Sequence, residues 1–297
     1  MILVFGNGQL GQELTRIGVA RRVPLATLSR AQADITNRAA IADALRRHAP
    51  QLVVNAAAYT KVDLAETEPE AARQGNEVGP AVIGDACAAA GVPLVHISTD
   101  YVFDGRKLEP YVEGDPIAPI SAYGRSKAAG ERAVRQAAAH HLILRTSWIY
   151  GEFGHNFLKT MLRLATTREE LRVVADQRGC PTSTRDLADA ILRVAPRLIG
   201  RDEVWGTYHY AGAGVTTWHG FASRIVAAQA PITSRKPRVT AITTAEFPTP
   251  ARRPANSELD CRLFARTFGF TGRPWTEETD AITTLLASAM GKTPHVA

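Results

Sequence analysis

The first eleven residues constrain the fold more than any other stretch of the chain. Residues 1–5 form a short apolar run that predicts a buried strand, and Gly6-Asn-Gly-Gln-Leu-Gly11 follows it, ahead of a helical pattern over residues 13–19. In such a unit the first glycine permits a tight turn, the second lets a pyrophosphate approach the backbone, and the third lets helix pack on strand. A glycine turn that binds nothing is the alternative, but the position of the motif favours dinucleotide binding.

Strand-like and helix-like segments alternate over the first half of the chain. The further predicted elements are strands at residues 24–28, 52–55, 93–97 and 142–146, and helices at 37–48 and 68–90, the latter with Gly91 as C-cap. This alternation predicts an α/β fold, a Rossmann-type doubly wound parallel sheet over residues 1–150. Residues 151–297 are predicted to form a smaller C-terminal lobe, mainly for substrate binding and interleaved with the sheet.

The second half of the chain predicts shorter elements. They are a helix at residues 156–167, a strand at 171–174, a turn at 179–183, a helix at 185–194 and a strand at 207–210. Asp186 and Asp189 are expected on the polar side of their helix. Arg253 could hold an anionic diphosphate, or it could simply be solvated.

The end of the second predicted strand bears on cofactor choice. NAD sites usually place an acid there, whereas an arginine accepts a 2′-phosphate. Here Ser29 and Arg30 follow the strand without an acid, which favours NADPH over NADH unless Arg30 is only an exposed loop residue. Asp34 either hydrogen-bonds the adenine amine or helps to start the next helix.

Two later strand ends are also candidates for ligand contact. The third strand runs into Asn55-Ala-Ala-Ala-Tyr-Thr60, whose small residues allow either close approach of a ligand or tight packing. The fourth ends in Ser98 and Thr99. Their hydroxyls are expected to point into the crevice, or else to cap the backbone.

Tyr123 and Lys127 lie four residues apart on a predicted helix and therefore share one face. An ammonium beside a phenol favours the phenolate, so Lys127 is expected to lower the pKa of Tyr123. The pair could then exchange a proton near neutral pH. Because the pattern is short, a surface helix with a half-buried tyrosine is the alternative.

Composition excludes several classes of protein. The net charge of +6 is scattered without a basic tract, which argues against nucleic acid as a partner. Cys87, Cys180 and Cys261 lie far apart without a CxxC motif, which predicts a reducing compartment with no disulfide or zinc site. No signal peptide and no apolar run of about 20 residues is present, so a cytoplasmic protein without membrane attachment is expected.

Taken together, the motifs resemble those of the extended short-chain dehydrogenases, and among them the dTDP-4-dehydrorhamnose reductases. The resemblance extends from Met1 to about Leu263. It rests on the glycine motif and on the following stretches: Asp34-Ile35, Asn55 to Thr60, Ser98-Thr-Asp-Tyr-Val-Phe103, Tyr123-x-x-x-Lys127, Arg145-Thr-Ser-Trp148, Asp176-Gln177, Pro181-Thr182, Thr216-Thr-Trp218 and Arg253-Pro-Ala-Asn-Ser257.

The resemblance implies reduction of the 4-keto group of dTDP-4-dehydro-β-L-rhamnose by NADPH or NADH. Tyr123 would be the proton donor, Lys127 would hold the nicotinamide ribose, and Thr99 would orient the keto oxygen. Substrate contacts would include Asp100, Trp148, Asn156 and Arg253. The implied cofactor contacts, with the glycine motif included, are Gly6, Gly8, Gln9, Leu10, Gly11, Ser29, Arg30, Asp34, Ile35, Ala58, Tyr59, Thr60, Tyr123 and Lys127.

Three questions stay open from the residues. Some relatives bind Mg²⁺ at a dimer interface, and Glu13 lies where one such ligand would, but Glu13 is more simply interpreted as a solvated helix residue. A homodimer is therefore possible, with or without metal. Two rival functions are a nucleotide-sugar epimerase or dehydratase on the same scaffold, and a non-catalytic NADP-binding subunit like that of methionine adenosyltransferase.

Overall fold

The computed structural model describes residues 1–200 and 202–290, so residue 201 and residues 291–297 of the predicted C-terminal lobe lie outside the described part. The helices are α1 Gln9–Arg21, α2 Arg38–His48, α3 Pro69–Arg73, α4 Gly79–Ala90, α5 Ala122–Ala137, α6 Phe157–Ala165, α7 Thr184–Ile199, α8 Trp218–Thr233, α9 Arg262–Phe268 and α10 Trp275–Met290. The strands are β1 Ile2–Phe5, β2 Leu25–Leu28, β3 Leu52–Asn55, β4 Leu94–Thr99, β5 His141–Thr146, β6 Ile149–Tyr150, β7 Glu170–Val174, β8 Arg178–Gly179, β9 Thr182–Ser183, β10 Gly206–His209, β11 Thr216–Thr217 and β12 Arg238–Ile242.

The main sheet has six parallel strands in the order β10-β5-β4-β3-β1-β2. Strand order reverses between β1 and β3, and ligands of such sheets bind at the carboxyl ends of the strands beside the reversal. The predicted α/β doubly wound fold is therefore confirmed. Strand β10 belongs to the sheet, so the sheet is not confined to residues 1–150; the division of the chain near residue 150 stays a prediction.

Apolar side chains cover both faces of the sheet. Along β1, Ile2 and Val4 pack on the side of α1 and α7, whereas Leu3 and Phe5 pack on the side of α2 and α4. Because alternate side chains of a strand point to opposite faces, the side chains on both faces of this apolar strand are buried. The run that precedes the glycine motif thus reflects helices on both sides of the sheet.

A third core lies in the second half of the chain. The parallel pair β7 and β12 packs with α6, α8 and α10 around Phe221 and Ile225. These elements lie within residues 151–297, and their assignment to a separate substrate-binding lobe stays a prediction. Among the described residues no helix is both long and apolar enough to cross a bilayer.

Several predicted elements need correction. Residues 179–183 are not a simple turn, because β8 and β9 use them to pair with β11 and β6. The helix predicted from residue 185 begins at Thr184 and runs to Ile199. Asp186 and Asp189 do not lie on a solvated face; both are buried, and both are paired with Arg273.

The helix predicted over residues 68–90 contains a π-helical turn, Gln74–Val78, between α3 and α4. This turn places the Asn76 carbonyl against α5: a Cβ added to Gly130 would lie 1.9 Å from the Asn76 oxygen. The Asn76 side chain also donates to the Ser126 hydroxyl and to the Tyr59 carbonyl. Gly130 therefore lets α5 approach the loop that follows β3.

We predict that Gly130→Ala destabilises the protein, although alanine is normally the better helix former. The added methyl has no room beside the Asn76 carbonyl, and overpacking of this kind costs roughly 1–3 kcal/mol. Gly114→Ala is the matched control, because nothing lies within 4 Å of its added Cβ. Denaturant unfolding of the two variants decides the matter; equal midpoints would contradict this account of the packing.

Candidate active site

The glycine motif meets the end of β3 at the reversal of strand order. Gly6 has a positive φ of +107°, and a Cβ there would lie 2.5 Å from the Ala57 nitrogen. At Gly11 a Cβ would lie 1.9 Å from the Gly6 carbonyl oxygen. Gly8 has nothing within 4 Å, so its backbone borders open space. The backbone at the three glycines thus has the geometry that the motif predicts, and its contact with a pyrophosphate stays a prediction.

Helix α1 begins here and points its N-terminus into that space. Its N-cap is Gly8, which makes no side-chain cap, and its first turn contains no acid. Uncapped amides and the helix dipole together favour an anion, so these residues fit the diphosphate of a dinucleotide. Leu10 is buried in the core, so only its backbone faces the turn. Gln9 accepts a hydrogen bond from Asn156.

The loop after β2 contains the predicted ribose contacts. The Ser29 hydroxyl and amide both donate to Gln32, and Arg30 pairs with Asp34 across 3.0 Å. The Arg30 side chain is 88% exposed, and an exposed ion pair of this kind is weak. Because this pair is weak, the Arg30 guanidinium can exchange Asp34 for an anion.

Asp34 has a local role in the same loop. Its carboxylate accepts from the Thr36 amide and hydroxyl, and the hydrogen bond from the Thr36 amide lowers its pKa. Asp34 is not the cap of the next helix, because Asn37 caps α2 through the Ala40 amide. Ile35 is buried against Gly79.

The loop that follows β3 contains Ala58, Tyr59 and Thr60. The Tyr59 amide donates to the Asn76 side chain, and the Tyr59 hydroxyl donates to Glu68 over 2.8 Å. Ala58 and Thr60 are exposed on either side of Tyr59. The hydrogen bonds of Tyr59 to Asn76 and Glu68 thus hold this loop in place.

Helix α5 brings Tyr123 and Lys127 to the carboxyl end of β4. Ser121 caps the helix through the Gly124 amide, as expected for a helix that begins at Ala122. The Tyr123 ring meets the Tyr101 ring edge-on, with centroids 5.8 Å apart. Lys127 is 2% exposed, and its Nζ donates to the Ile97 carbonyl over 2.6 Å. The surface-helix interpretation is therefore wrong for Lys127.

Burial raises the pKa of Tyr123 above its ordinary value, while the interaction of the phenol with the Thr99 hydroxyl opposes this and the Asp100 charge adds to it. The prediction that Lys127 lowers this pKa is wrong in this arrangement, because the ammonium is directed at a β4 carbonyl. Burial lowers the pKa of Lys127 itself to about 8. Tyr123 is thus neutral at physiological pH and retains the proton that a donor needs.

Thr99 and Asp100 lie beside the phenol. The Thr99 hydroxyl donates to Asp100 Oδ1 over 2.9 Å and accepts from the Tyr101 amide, so it both caps and faces the site. Asp100 is 2% exposed, and burial raises the pKa of its carboxyl to about 7. Its Oδ2 has no hydrogen-bond partner among the described residues. Ser98 does not point into the crevice as expected; its hydroxyl donates to Glu131 on α5.

Trp148 leaves the end of β5 with a positive φ of 48°. Its ring is stacked on Trp218 with centroids 3.6 Å apart and planes 6° from parallel. Gly179 lies under the same ring, and an added Cβ there would be 2.4 Å from the indole. Sequence reasoning assigned no site role to Trp218 or Tyr101. In the sequence, both residues stand out only because they lie in stretches that resemble the reductase family, Ser98–Phe103 and Thr216–Trp218.

Two predicted substrate contacts are engaged elsewhere in the protein. Asn156 is buried and caps α6, and its amide donates to Gln9 and to the Gly151 carbonyl, so its hydrogen bonds are satisfied internally. Its assignment to the substrate stays a prediction of the sequence analysis. Arg253 is not simply solvated either: its guanidinium makes two hydrogen bonds to Asp63, at 3.1 and 2.8 Å.

Glu13 is not a solvated helix residue. It is 1% exposed and pairs with Arg16 on the next turn of α1. Within residues 1–200 and 202–290, no three His, Cys, Asp or Glu side chains are grouped as a metal site would require.

Comparison with known proteins assigns the chain to a family. The model of the RmlD substrate binding domain matches residues 1–288. A dTDP-4-dehydrorhamnose reductase of Sinorhizobium fredii is 46% identical over 92% of this chain and 93% of its own length. The chain belongs to the dTDP-4-dehydrorhamnose reductase family.

Solved structures of family members have the same fold. A dTDP-4-dehydrorhamnose reductase of Clostridium acetobutylicum superposes with a TM-score of 0.89 at 39% identity, covering 96% of this chain and 99% of its own. The enzyme of Bacillus anthracis, solved in complex with NADP, gives a TM-score of 0.87 at 37% identity, covering 95% and 97%. Neither the epimerase nor the regulatory-subunit alternative is favoured by these matches.

We predict that this family member loses stability as pH rises from about 4 to 7 because of Asp100. In the unfolded chain its carboxyl titrates near its ordinary value of 3.8, and in the folded protein near 7. Between these values only the folded state binds the proton, so raising the pH favours unfolding. Asp100→Asn should therefore be more stable than the wild type at pH 8, by about 2–4 kcal/mol.

Urea unfolding at pH 5 and pH 8 measures the effect. The control is Asp115→Asn. Burial disfavours the charge of the Asp115 carboxylate, but hydrogen bonds from Lys107 and the Val112 amide outweigh it and lower the pKa, so removal of the carboxylate should decrease stability at pH 8. An Asp100→Asn variant no more stable than wild type at pH 8 would contradict the burial cost assigned to this carboxyl.

Proposed function

We propose that this protein is an NADPH-dependent reductase that converts dTDP-4-dehydro-β-L-rhamnose to dTDP-L-rhamnose. The observation that carries the proposal is the convergence of Thr99, Tyr123 and Lys127 at the carboxyl end of β4, in a chain of this family. When bound, NADPH supplies a hydride to the keto carbon. NADH is the alternative donor.

The cofactor would lie along the reversal of strand order. The open N-terminus of α1, with Gly8 and Gln9, would hold the diphosphate. Arg30 carries the exposed positive charge that a 2′-phosphate needs, and its bond to Asp34 is weak enough to be exchanged. Lys127 would meet the nicotinamide ribose, and residues 58–60 would border the cofactor from the β3 side.

The residues of this chain supply the proton and stabilise the developing charge. As negative charge grows on the keto oxygen, Tyr123 would protonate it and Thr99 would donate a hydrogen bond to it. Because burial keeps the phenol neutral, Tyr123 holds its proton until that charge develops. The Lys127 ammonium, which donates to the Ile97 carbonyl, would act through the nicotinamide ribose rather than on the phenol.

Substrate recognition would involve the second lobe. Asp100 has a buried, unpaired carboxylate oxygen that can accept a sugar hydroxyl, and Trp148 offers a ring held flat by Trp218. Arg253 would face the diphosphate, with Asp63 orienting its guanidinium. A cytoplasmic location and a homodimer stay predictions of the sequence analysis.

A coupled assay tests the activity. dTDP-glucose is converted to the keto sugar by a dehydratase and an epimerase, NADPH or NADH is added, and dTDP-rhamnose is measured. We expect product with both enzymes and NADPH present, and a lower rate with NADH. Absence of product, together with tight binding to an adenosyltransferase, would favour the regulatory alternative.

We predict that Tyr123→Phe lowers kcat by a factor of at least roughly 10²–10³, the usual cost of removing one group that stabilises a developing oxyanion. Binding of NADPH should persist, because the ring and its packing against Tyr101 are kept. Tyr111→Phe is the control: its hydroxyl bonds Asp104, away from the site, and turnover should be retained. Near-normal turnover by Tyr123→Phe would exclude Tyr123 as the proton donor.

A further inference from the structure

Three polar side chains lie in a row along one face of α5. Tyr123, Lys127 and Glu131 follow one another at intervals of four residues, and this spacing places them on successive turns of one face. The row meets the last three residues of β4. Lys127 donates to the Ile97 carbonyl, Glu131 accepts from the Ser98 hydroxyl, and Thr99 interacts with Tyr123.

Glu131 is fixed from three elements of the fold. Its carboxylate is 0% exposed and accepts from Ser98 at 2.6 Å, from Arg145 Nε and Nη2 at 2.9 and 2.8 Å, and from Arg135 at 2.7 Å. Ser98 and Arg145 are direct partners in the β4–β5 ladder. Burial disfavours the charge, but the bonds from Arg145 and Ser98 outweigh it and lower the pKa of Glu131 to about 2.

The Glu131 carboxylate opposes the effect of burial on the charge of Lys127. Burial lowers the pKa of Lys127 to about 8, and Glu131 is the group that raises it. The other titratable or charged groups nearby are His96 on β4, Asp100 after β4, Tyr123 and Arg135 on α5, and Arg145 on β5. Burial keeps His96 and Tyr123 neutral, and it raises the pKa of Asp100 to about 7.

We propose that Glu131 is a positioning residue of the reductase: its fixed carboxylate, one helical turn beyond Lys127, keeps that lysine charged and directed at β4. The proposal rests on the proposed function, in which a charged Lys127 would hold the nicotinamide ribose. It extends the Tyr–Lys pair to a row of three groups whose third member never touches a ligand. Sequence reasoning did not single out Glu131, because nothing in the spacing alone showed that it is buried.

Glu131→Gln tests the role of the charge, because glutamine keeps the shape and removes the charge. At an effective dielectric constant of about 20, a carboxylate one helical turn away raises the pKa of a lysine by on the order of one unit or more. The proton-binding transition of Lys127 should therefore move down by about one unit. The descending limb of the pH profile of kcat should move with it.

NMR titration of ¹³Cε-labelled lysine measures the transition directly, with Lys127→Met to assign the signal. Glu131→Asp keeps the charge, and its lysine transition should stay near that of the wild type. Glu131→Gln leaves Arg145 without its main buried partner and could fail to fold. The double variant Glu131→Gln/Arg145→Gln removes both charges of the pair, and it should show a smaller shift in the same direction because loss of the Arg145 cation offsets part of the loss of the carboxylate.

The outcomes are distinct. A lysine transition that stays in place in the folded Glu131→Gln variant overturns the proposal, and so does a shifted transition with an unshifted kcat profile. A shift of both by about one unit supports it. A wild-type enzyme that does not turn over the keto sugar defeats the proposed function instead, and the NMR titration still decides whether Glu131 controls the charge of Lys127.

Discussion

The buried ion pair between Glu131 and Arg145 joins α5 to the centre of the sheet. Both side chains are at most 1% exposed, and a pair so deeply buried costs desolvation that only well-formed hydrogen bonds can offset. Those bonds come from Ser98 on β4 and Arg145 on β5, and Arg145 also donates to His209 on β10. Three adjacent strands thereby fix one helix, and that helix carries Tyr123 and Lys127. Removing one partner of such a pair typically costs about 3–5 kcal/mol.

The site contains buried side chains whose charged forms are disfavoured by desolvation, and the rest of the fold must offset this cost. Burial lowers the pKa of Lys127 to about 8 and raises that of Asp100 to about 7, so both charges are disfavoured where the chemistry requires polar groups. Groups poised near neutral pH in a crevice are typical of sites that exchange protons. The same burial raises the pKa of Tyr123 and keeps it a proton donor rather than a phenolate. Stability and proposed activity thus compete at the end of β4.

Much of the sheet could be predicted from the sequence, because its strands are short apolar runs bounded by glycines, prolines or polar residues. The glycine motif and the Tyr–Lys spacing likewise located both sides of the crevice. Burial could not be predicted from spacing. Asp186 and Asp189 look like solvated helix residues, yet both are buried and paired with Arg273, which is distant in the chain. Glu13 is likewise buried, and it pairs with Arg16 on the next turn of its helix. Asn156 shows the same limit, because its use as a cap linked to Gln9 depends on tertiary structure. The pKa of Tyr123 was predicted in the wrong direction, since only coordinates show Lys127 directed at Ile97.

Isotope transfer tests the central claim most directly. The purified protein is given NADPH deuterated at the transferred position together with dTDP-4-dehydro-β-L-rhamnose, and the sugar product is analysed by mass spectrometry and NMR. The account predicts dTDP-L-rhamnose with deuterium at C4 and one NADPH consumed for each sugar reduced. An epimerase would return an isomer of the keto sugar with no net consumption of NADPH. That result, or no reaction with an intact Tyr123 and bound NADPH, would contradict the account.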